Sequence, residues 1–455
     1  MIPRILFVAM QNSPHAANWI NLIADQGWDL HLFAINDHPV LPEMRGVTVH
    51  RPWLRLRPRM ALKTFLKDPI GFHRNWHDIE RQLNPDALPV RPIFPLPVVP
   101  PVDRALNYAR PVRLGESDAH TSRFYGPSVL LRLIRGLQPH LIHSMEFQHC
   151  GYNVLRAKEL YGQEFPPWLA TNWGSDIYYY RNFPDHRSQI TRLLKNIDYY
   201  SCECRRDVTL AKELGLAGKV MPVLPNAGGF DLEYINPLRR VHTPSARRLI
   251  MVKGYQHFAG RALTALDAIE RCSLLLKDYC IVVFSASPVI YERIEELRAY
   301  LGLDIHVLPY SNRDKMLRMF ARARLYLGVS ISDAISISML EAMALGAFPI
   351  QTNTSCCEEW IDDGKSGFVI SPNDVNQIAD RLRQALTDDN LVDTAAEINW
   401  RTVQERLDMR VLKEKAVAFY DEIFLDIKRK QNGKQQNESI ASRHTVERFP
   451  DATTL

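Results

Sequence analysis

The strongest constraint on how this 455-residue chain can fold is an alternation of strand and helix patterns that runs, stops and starts again. Apolar Ile5 to Met10 is followed by polar Gln11 to Pro14, an amphipathic stretch from His15 to Gln26, Gly27 where a helix would stop, and apolar Leu30 to Ile35. Such a β–α–β opening is right-handed and builds a parallel sheet whose loops gather at the carboxyl ends of the strands. The rhythm returns at Leu141 to His143, Trp168 to Thr171 and Tyr199 to Cys202. A polar segment with two prolines, residues 236–248, reads as a linker. Beyond it the series restarts with Leu249 to Val252, Cys280 to Ser285, Asp304 to Leu308, Leu325 to Val329, Phe348 to Gln351 and Gly367 to Ile370. The expectation is an α/β chain of two doubly wound Rossmann-like domains facing each other across a cleft, residues 1–235 and 249–428. A tail, 429–455, lacks the apolar spacing to bury a face and is expected to be disordered.

Residues 51–128 break the rhythm. Arg51, Arg55, Arg57, Arg59, Lys63 and Lys67 alternate with Trp53, Leu54, Leu56, Leu62, Phe65 and Leu66, and a proline-dense run follows from Pro85 to Pro101. This is expected to be a surface excursion of the first domain. It suits peripheral contact with an anionic membrane surface, or it is simply a solvated charged face. A net charge of +5 is too mild to argue for nucleic acid, and neither a helix-turn-helix nor an RNA-recognition signature is present. No run approaches the roughly 18 apolar residues of a spanning helix, and the start MIPRILFVAM reads as a buried strand rather than a signal peptide. A cytoplasmic location is therefore expected, with the inner face of the membrane as the place of any peripheral contact. Seven cysteines without zinc-finger spacing read as reduced thiols, with the pair Cys356 and Cys357 open to a redox role. His143, His149 and Cys150 match no standard zinc site, so neither a metal nor a cofactor is expected.

Chemistry concentrates in LYLGVSISDAISISMLEAMALGAFPIQ, residues 325–351. An apolar strand ends near Val329, a loop carries Ser330, Ser332 and Asp333, and a helix begins around Ser336, Ile337 and Ser338 and stops at Gly346. A helix start offers bare N–H groups and partial positive charge, which suit a diphosphate. Asp333 lies before it, and Glu341 is placed in about the first turn. Upstream, KGYQHFAGR sets Lys253 and Gly254 at a strand end and Arg261 at the next helix start, where cations can meet a leaving diphosphate.

The spacing of Asp333 and Glu341, within a matching LEAMALGAFPIQ, resembles the E-x7-E signature of the group 1, or family four, retaining glycosyltransferases. CCEEWIDDGKSGFVISPND resembles the run that follows it, with Glu359 at the family's glutamate. VLPNAGGFD resembles the close of the first domain, TNWGSD the T-x-H-G-x-D loop, and His15 falls in S-x-H-x-x-x-W. The resemblance implies a GT-B fold and metal-independent transfer of a sugar from a nucleotide-sugar donor with retention. It further implies that Asp333 meets donor-sugar hydroxyls and Glu341 the ribose. A glycan or lipid-linked glycan would accept the sugar, in cell-surface polysaccharide or lipopolysaccharide assembly. Asn12, His15, His143, Glu146 and Asp176 are the candidates for the acceptor side or the cleft; for His143 a satisfied core position is the competing reading. The chain departs from the pattern at Asp333, one methylene shorter than glutamate, and at Trp173, where the family has histidine.

Two other classes are considered. A dinucleotide-dependent oxidoreductase needs a G-x-G-x-x-G turn, and neither first strand–helix turn has one. A non-catalytic nucleotide-sugar-binding protein differs only in chemistry, and Asp333 in place of glutamate is the feature that favours it.

Overall fold

A computed structural model describes residues 2–35, 40–50, 127–162, 164–226, 228–309 and 311–446, without the side chains of Ser128 and of 434–446. Of the excursion at 51–128, residues 51–126 lie outside the described residues, and so does any membrane contact they would make. Pro127 opens the helix Pro127–Leu137.

The first sheet holds β1 (Arg4–Ala9), β2 (Asp29–Ala34), β3 (Thr48–His50), β4 (Leu141–Met145), β5 (Trp168–Thr171), β6 (Tyr199–Ser201) and β7 (Lys219–Val220), ordered 3-2-1-4-5-6-7. The second holds β8 (Leu249–Lys253), β9 (Cys280–Phe284), β10 (Asp304–Leu308), β11 (Ala323–Gly328), β12 (Phe348–Thr352) and β13 (Phe368–Ile370), ordered 10-9-8-11-12-13. Every pairing is parallel. Central strands such as Ile5 to Ala9 and Leu325 to Gly328 are buried throughout, as expected when helices cover both faces. In each sheet the order reverses once, between β1 and β4 and between β8 and β11. Ligands of open α/β sheets bind outside the carboxyl ends at such points.

The chain crosses between the halves twice, and the crossings are tied together. Phe230 N–H donates to Leu407 O at 2.7 Å, and Met409 N–H donates to Phe230 O at 2.9 Å. Gly229 sits beneath this junction at φ +73°, where an added Cβ would stand 2.7 Å from Leu407 O, so backbone conformation and space both require glycine.

Three expectations are corrected. The linker is shorter than residues 236–248, because the helix Leu232–Arg239, capped by Asp231, runs into it. Near the end of the chain two helices, Asp389–Arg406 and Met409–Val446, are divided at the second crossing. The last helix does not belong with the second sheet. Its Phe419 and Tyr420 pack on Trp19, and Tyr420 and Phe424 on Trp28, both in the first half. Tyr199 donates to Asp426 at 2.7 Å. Residues 429–446 continue that helix instead of being disordered. Extending a nucleated helix costs far less than starting one, and Lys, Arg, Gln, Glu and Ala all tolerate it.

Tyr420 Oη is the keystone of this docking: Trp19 Nε1 donates to it at 2.8 Å and His143 Nδ1 lies 2.8 Å away, all buried. Tyr420→Phe leaves both ring nitrogens without that partner. A loss of about 1–3 kcal/mol is expected, read as a lower urea midpoint with an unchanged slope; an unchanged midpoint would contradict this role.

Candidate functional site

β8 ends at Lys253 and β11 at Gly328, so the loops Gly254 to Arg261 and Val329 to Ser336 leave the sheet side by side at its switch point. They are stitched together: Arg261 N–H donates to Val329 O at 2.9 Å and Ile331 N–H to Ala259 O at 2.7 Å. Gly254 packs beneath, where a Cβ would meet Ala286 Cα at 2.7 Å.

Lys253 Nζ stands 3.7 Å from Asp333 Oδ2, with side-chain exposures of only 16% and 28%. Burial is the largest single influence and acts against the lysine's charge, yet Asp333 together with the Tyr326 and Tyr255 hydroxyls outweighs it and raises the lysine above its ordinary range. Burial also raises Asp333, against the lowering effect of Lys253. The helix Ile337–Leu345 starts next to them. Its N-cap Ser336 makes no side-chain cap bond, because its hydroxyl is shared with buried Tyr326 Oη at 3.1 Å. Ser336 O accepts from Met339 and Leu340, leaving the N–H groups of Ile337 and Ser338 ahead of the helical ladder.

Glu341 is not in the first turn as expected but in the second, since the helix begins at Ile337. It therefore draws little from the helix dipole, which fades after one turn. It is buried, and burial, opposed by the charges of Arg313 and Lys253, pushes its carboxyl up to about 7.

The other half completes the site through residues that lie far away in sequence. A Cβ on Gly174, in the TNWGSD loop, would stand 2.3 Å from Ala334 N and 2.6 Å from Asp333 Oδ1, so only glycine admits this approach. Ser175 Oγ meets Ser332 Oγ at 2.9 Å. Arg206 donates to Asp333 O at 2.9 Å and to Thr354 O at 2.8 Å while paired with Asp207. Arg206 was not singled out in the sequence, where it is an ordinary first-turn arginine; Gly174 falls on the glycine of the TNWGSD motif, whose spacing does not show that it presses on Asp333.

His15 does face this group. Burial, then the charge of Lys253, pushes it down to about 4, so it is neutral at pH 7. Its ring lies 5.1 Å from that of Trp173, and its buried Nδ1 has no hydrogen-bond partner among the described residues. Asn12 is half-buried in the turn before the same helix.

The remaining expected residues are held elsewhere. His143 is withdrawn into the core under β4, its Nε2 2.7 Å from Thr171 Oγ1 and its Nδ1 on Tyr420; burial lowers it to about 3. Glu146 caps the turn Phe147–Gly151, accepting from His149 N–H at 2.7 Å and Cys150 N–H at 3.0 Å. Asp176 ties two loops together, accepting from Phe147 N–H at 2.9 Å and Trp173 N–H at 2.7 Å. Glu359 accepts from Arg205 N–H at 2.8 Å, across the two halves. The Arg261 guanidinium turns back on its own loop, donating to His257 O and Gly260 O.

Two parallel sheets meeting across one cleft, each with a switch point, give the GT-B fold. Residues 261–399 match the model described as glycosyl transferases group 1. A sucrose-phosphate synthase from Thermosynechococcus elongatus aligns at a TM-score of 0.61, 14% identity, covering 94% of this chain and all of that one. HepE from Anabaena, solved with UDP-glucose, aligns at 0.59 and 12% identity, covering 92% and 99%. An N-acetyl-alpha-D-glucosaminyl L-malate synthase from Bacillus anthracis is 26% identical over 199 residues, 43% of this chain. The match spans less than half, 47%, of that relative. No helix among the described residues is long and apolar enough to cross a membrane.

The raised Glu341 carboxyl has a thermodynamic sign. Between its unfolded value near 4.5 and its folded value of about 7, the native state binds more protons than the unfolded one, so this group erodes stability as pH rises through that window. Glu341→Gln removes the penalty. The ligand-free variant should match the wild type near pH 4.5 and exceed it at pH 8 by up to about 3 kcal/mol, measured by urea unfolding; parallel pH profiles would contradict a buried, raised Glu341.

Proposed function

We propose that the chain transfers a sugar from a nucleotide-sugar donor to a glycan or lipid-linked glycan acceptor, with retention, in cell-surface polysaccharide or lipopolysaccharide assembly. The observation that carries this reading is the approach of Lys253 to Asp333 beside the bare N–H groups of Ile337 and Ser338 at the β8/β11 switch point. Departure of a nucleoside diphosphate builds negative charge on the phosphate side, which a preorganised ammonium and helix amides stabilise without a metal ion. Asp333 then faces the donor sugar, and Glu341, poised near neutrality, the ribose. The UDP-glucose bound in the HepE structure and the sugar-transfer name of the Bacillus relative support this choice of donor class.

On the acceptor side, neutral His15 presents an imidazole nitrogen to the cleft, and Trp173 beside it offers an aromatic face. In front-face substitution the departing phosphate takes the acceptor proton, so a separate base is not required.

The test is thermal stabilisation by a panel of UDP-, GDP- and ADP-sugars, followed by NMR of the anomer first released on slow donor hydrolysis. One donor at a hundredfold its dissociation constant should stabilise the native state by about 2.7 kcal/mol. The released sugar should keep the donor's anomeric configuration, and Lys253→Met should slow turnover at least about a hundredfold. Donor binding without any hydrolysis or transfer would favour a binding protein, and stabilisation by none of the donors would contradict the proposal.

A further inference from the structure

Where the two halves meet, two thiols and a carboxylate converge from separate parts of the chain. Cys204 precedes the helix Arg205–Glu213 of the first half, and Cys356 and Glu359 flank a single turn after β12. One donor atom from each lies within 4.8 Å of the others. Both cysteines are buried, and with Ala334 they form a small cluster separate from the main cores. We propose that Cys204, Cys356 and Glu359 bind a thiophilic divalent cation such as Zn2+, which fastens the two halves together.

Three features fit that role. Cys356 is a non-glycine residue at φ +50°, ψ +31°, a left-handed conformation unfavourable for a side chain with a Cβ, and it holds the turn carrying two of the three donors. Glu359 is already oriented: one oxygen accepts from Arg205 N–H at 2.8 Å, which leaves the other for a cation, as outer hydrogen bonds usually arrange for metal ligands. Two thiolates and a carboxylate suit Zn2+ at bond lengths of about 2.0–2.3 Å, with the fourth tetrahedral position left for water. Closing from the present spacing takes about an ångström of side-chain motion. The neighbouring Cys357 is excluded, its thiol donating to Thr352 O at 3.3 Å. The adjacent Arg206 charge is balanced by Asp207.

Without an ion Cys204 is held as a thiol, its acidity suppressed by its interaction with Cys356 and by burial. A second trio, Cys280, Asp304 and His306, is largely exposed on adjacent strands of one sheet; it joins nothing across the cleft, and His306 is already paired with Asp304 at 2.5 Å. The proposal rests on the junction alone and stands whether or not the donor reading holds.

The experiment is titration of the reduced, chelator-treated full chain with Co2+, reading thiolate-to-cobalt charge-transfer bands and the visible bands of a tetrahedral ion. One equivalent should saturate the signal, and Zn2+ should displace it. Cys204→Ser and Cys356→Ser should abolish the signal while circular dichroism stays native, and Glu359→Gln should weaken affinity at least tenfold. Cys357→Ser and His306→Ala should leave it unchanged. The proposal is overturned by an absence of charge-transfer bands at stoichiometric Co2+, or by bands that survive Cys204→Ser. It is equally overturned if His306→Ala removes the signal, or if mass spectrometry finds a disulfide joining Cys204 and Cys356 in place of a cation site.

Discussion

A lysine ammonium largely removed from water needs a nearby negative charge, and the architecture around Lys253 is organised by that requirement. Asp333 meets it at 3.7 Å, and in doing so fixes how the loop after β11 lies against the end of β8. The helix Ile337–Leu345 then starts four residues after Asp333, with its first amides ahead of the helical ladder. A pair this close in a low-dielectric cleft is strained for both partners, since each carries a desolvation cost that the other offsets. An incoming diphosphate relieves part of it by giving the lysine a second anionic partner.

The first half does more than roof the cleft. Gly174 presses its backbone against Asp333, Ser175 touches Ser332, and Arg206 grips two carbonyls of the second half. The described geometry is thus a closed one, with the site assembled from both sheets. The long last helix returns to the first half through Trp19, Tyr420 and Asp426, so movement of one half is transmitted to the other's packing as well as to the crossings.

The strands were legible because each is a short apolar run between turn signals, and most observed bounds fall within a residue or two of those expected. The exceptions are Thr48–His50 and Lys219–Val220, too short to show a period. Asp333 and the start at Ser336 were legible from spacing along one strand–loop–helix unit, and Lys253 from its place at the end of an apolar strand. Arg206 was not, because its importance arises from contacts more than a hundred residues away; the TNWGSD loop was visible as a motif, but not that Gly174 and Ser175 meet Asp333 and Ser332. Polar residues 429–446 read as tail because a solvated helix has no apolar stripe to show. His143 sat at the right strand end, but which face of β4 it occupies depends on Tyr420, nearly three hundred residues later.

The central claim is that one nucleotide sugar binds where Lys253, Asp333 and the first amides of the Ile337 helix converge. A crystal structure with the donor that stabilises the protein most tests it directly. The account predicts diphosphate oxygens within hydrogen-bond reach of Lys253 Nζ and of the Ile337 and Ser338 amides, with the sugar beside Asp333. Nucleotide density at the end of the first sheet, or anywhere that leaves the Lys253–Asp333 pair untouched, would contradict it.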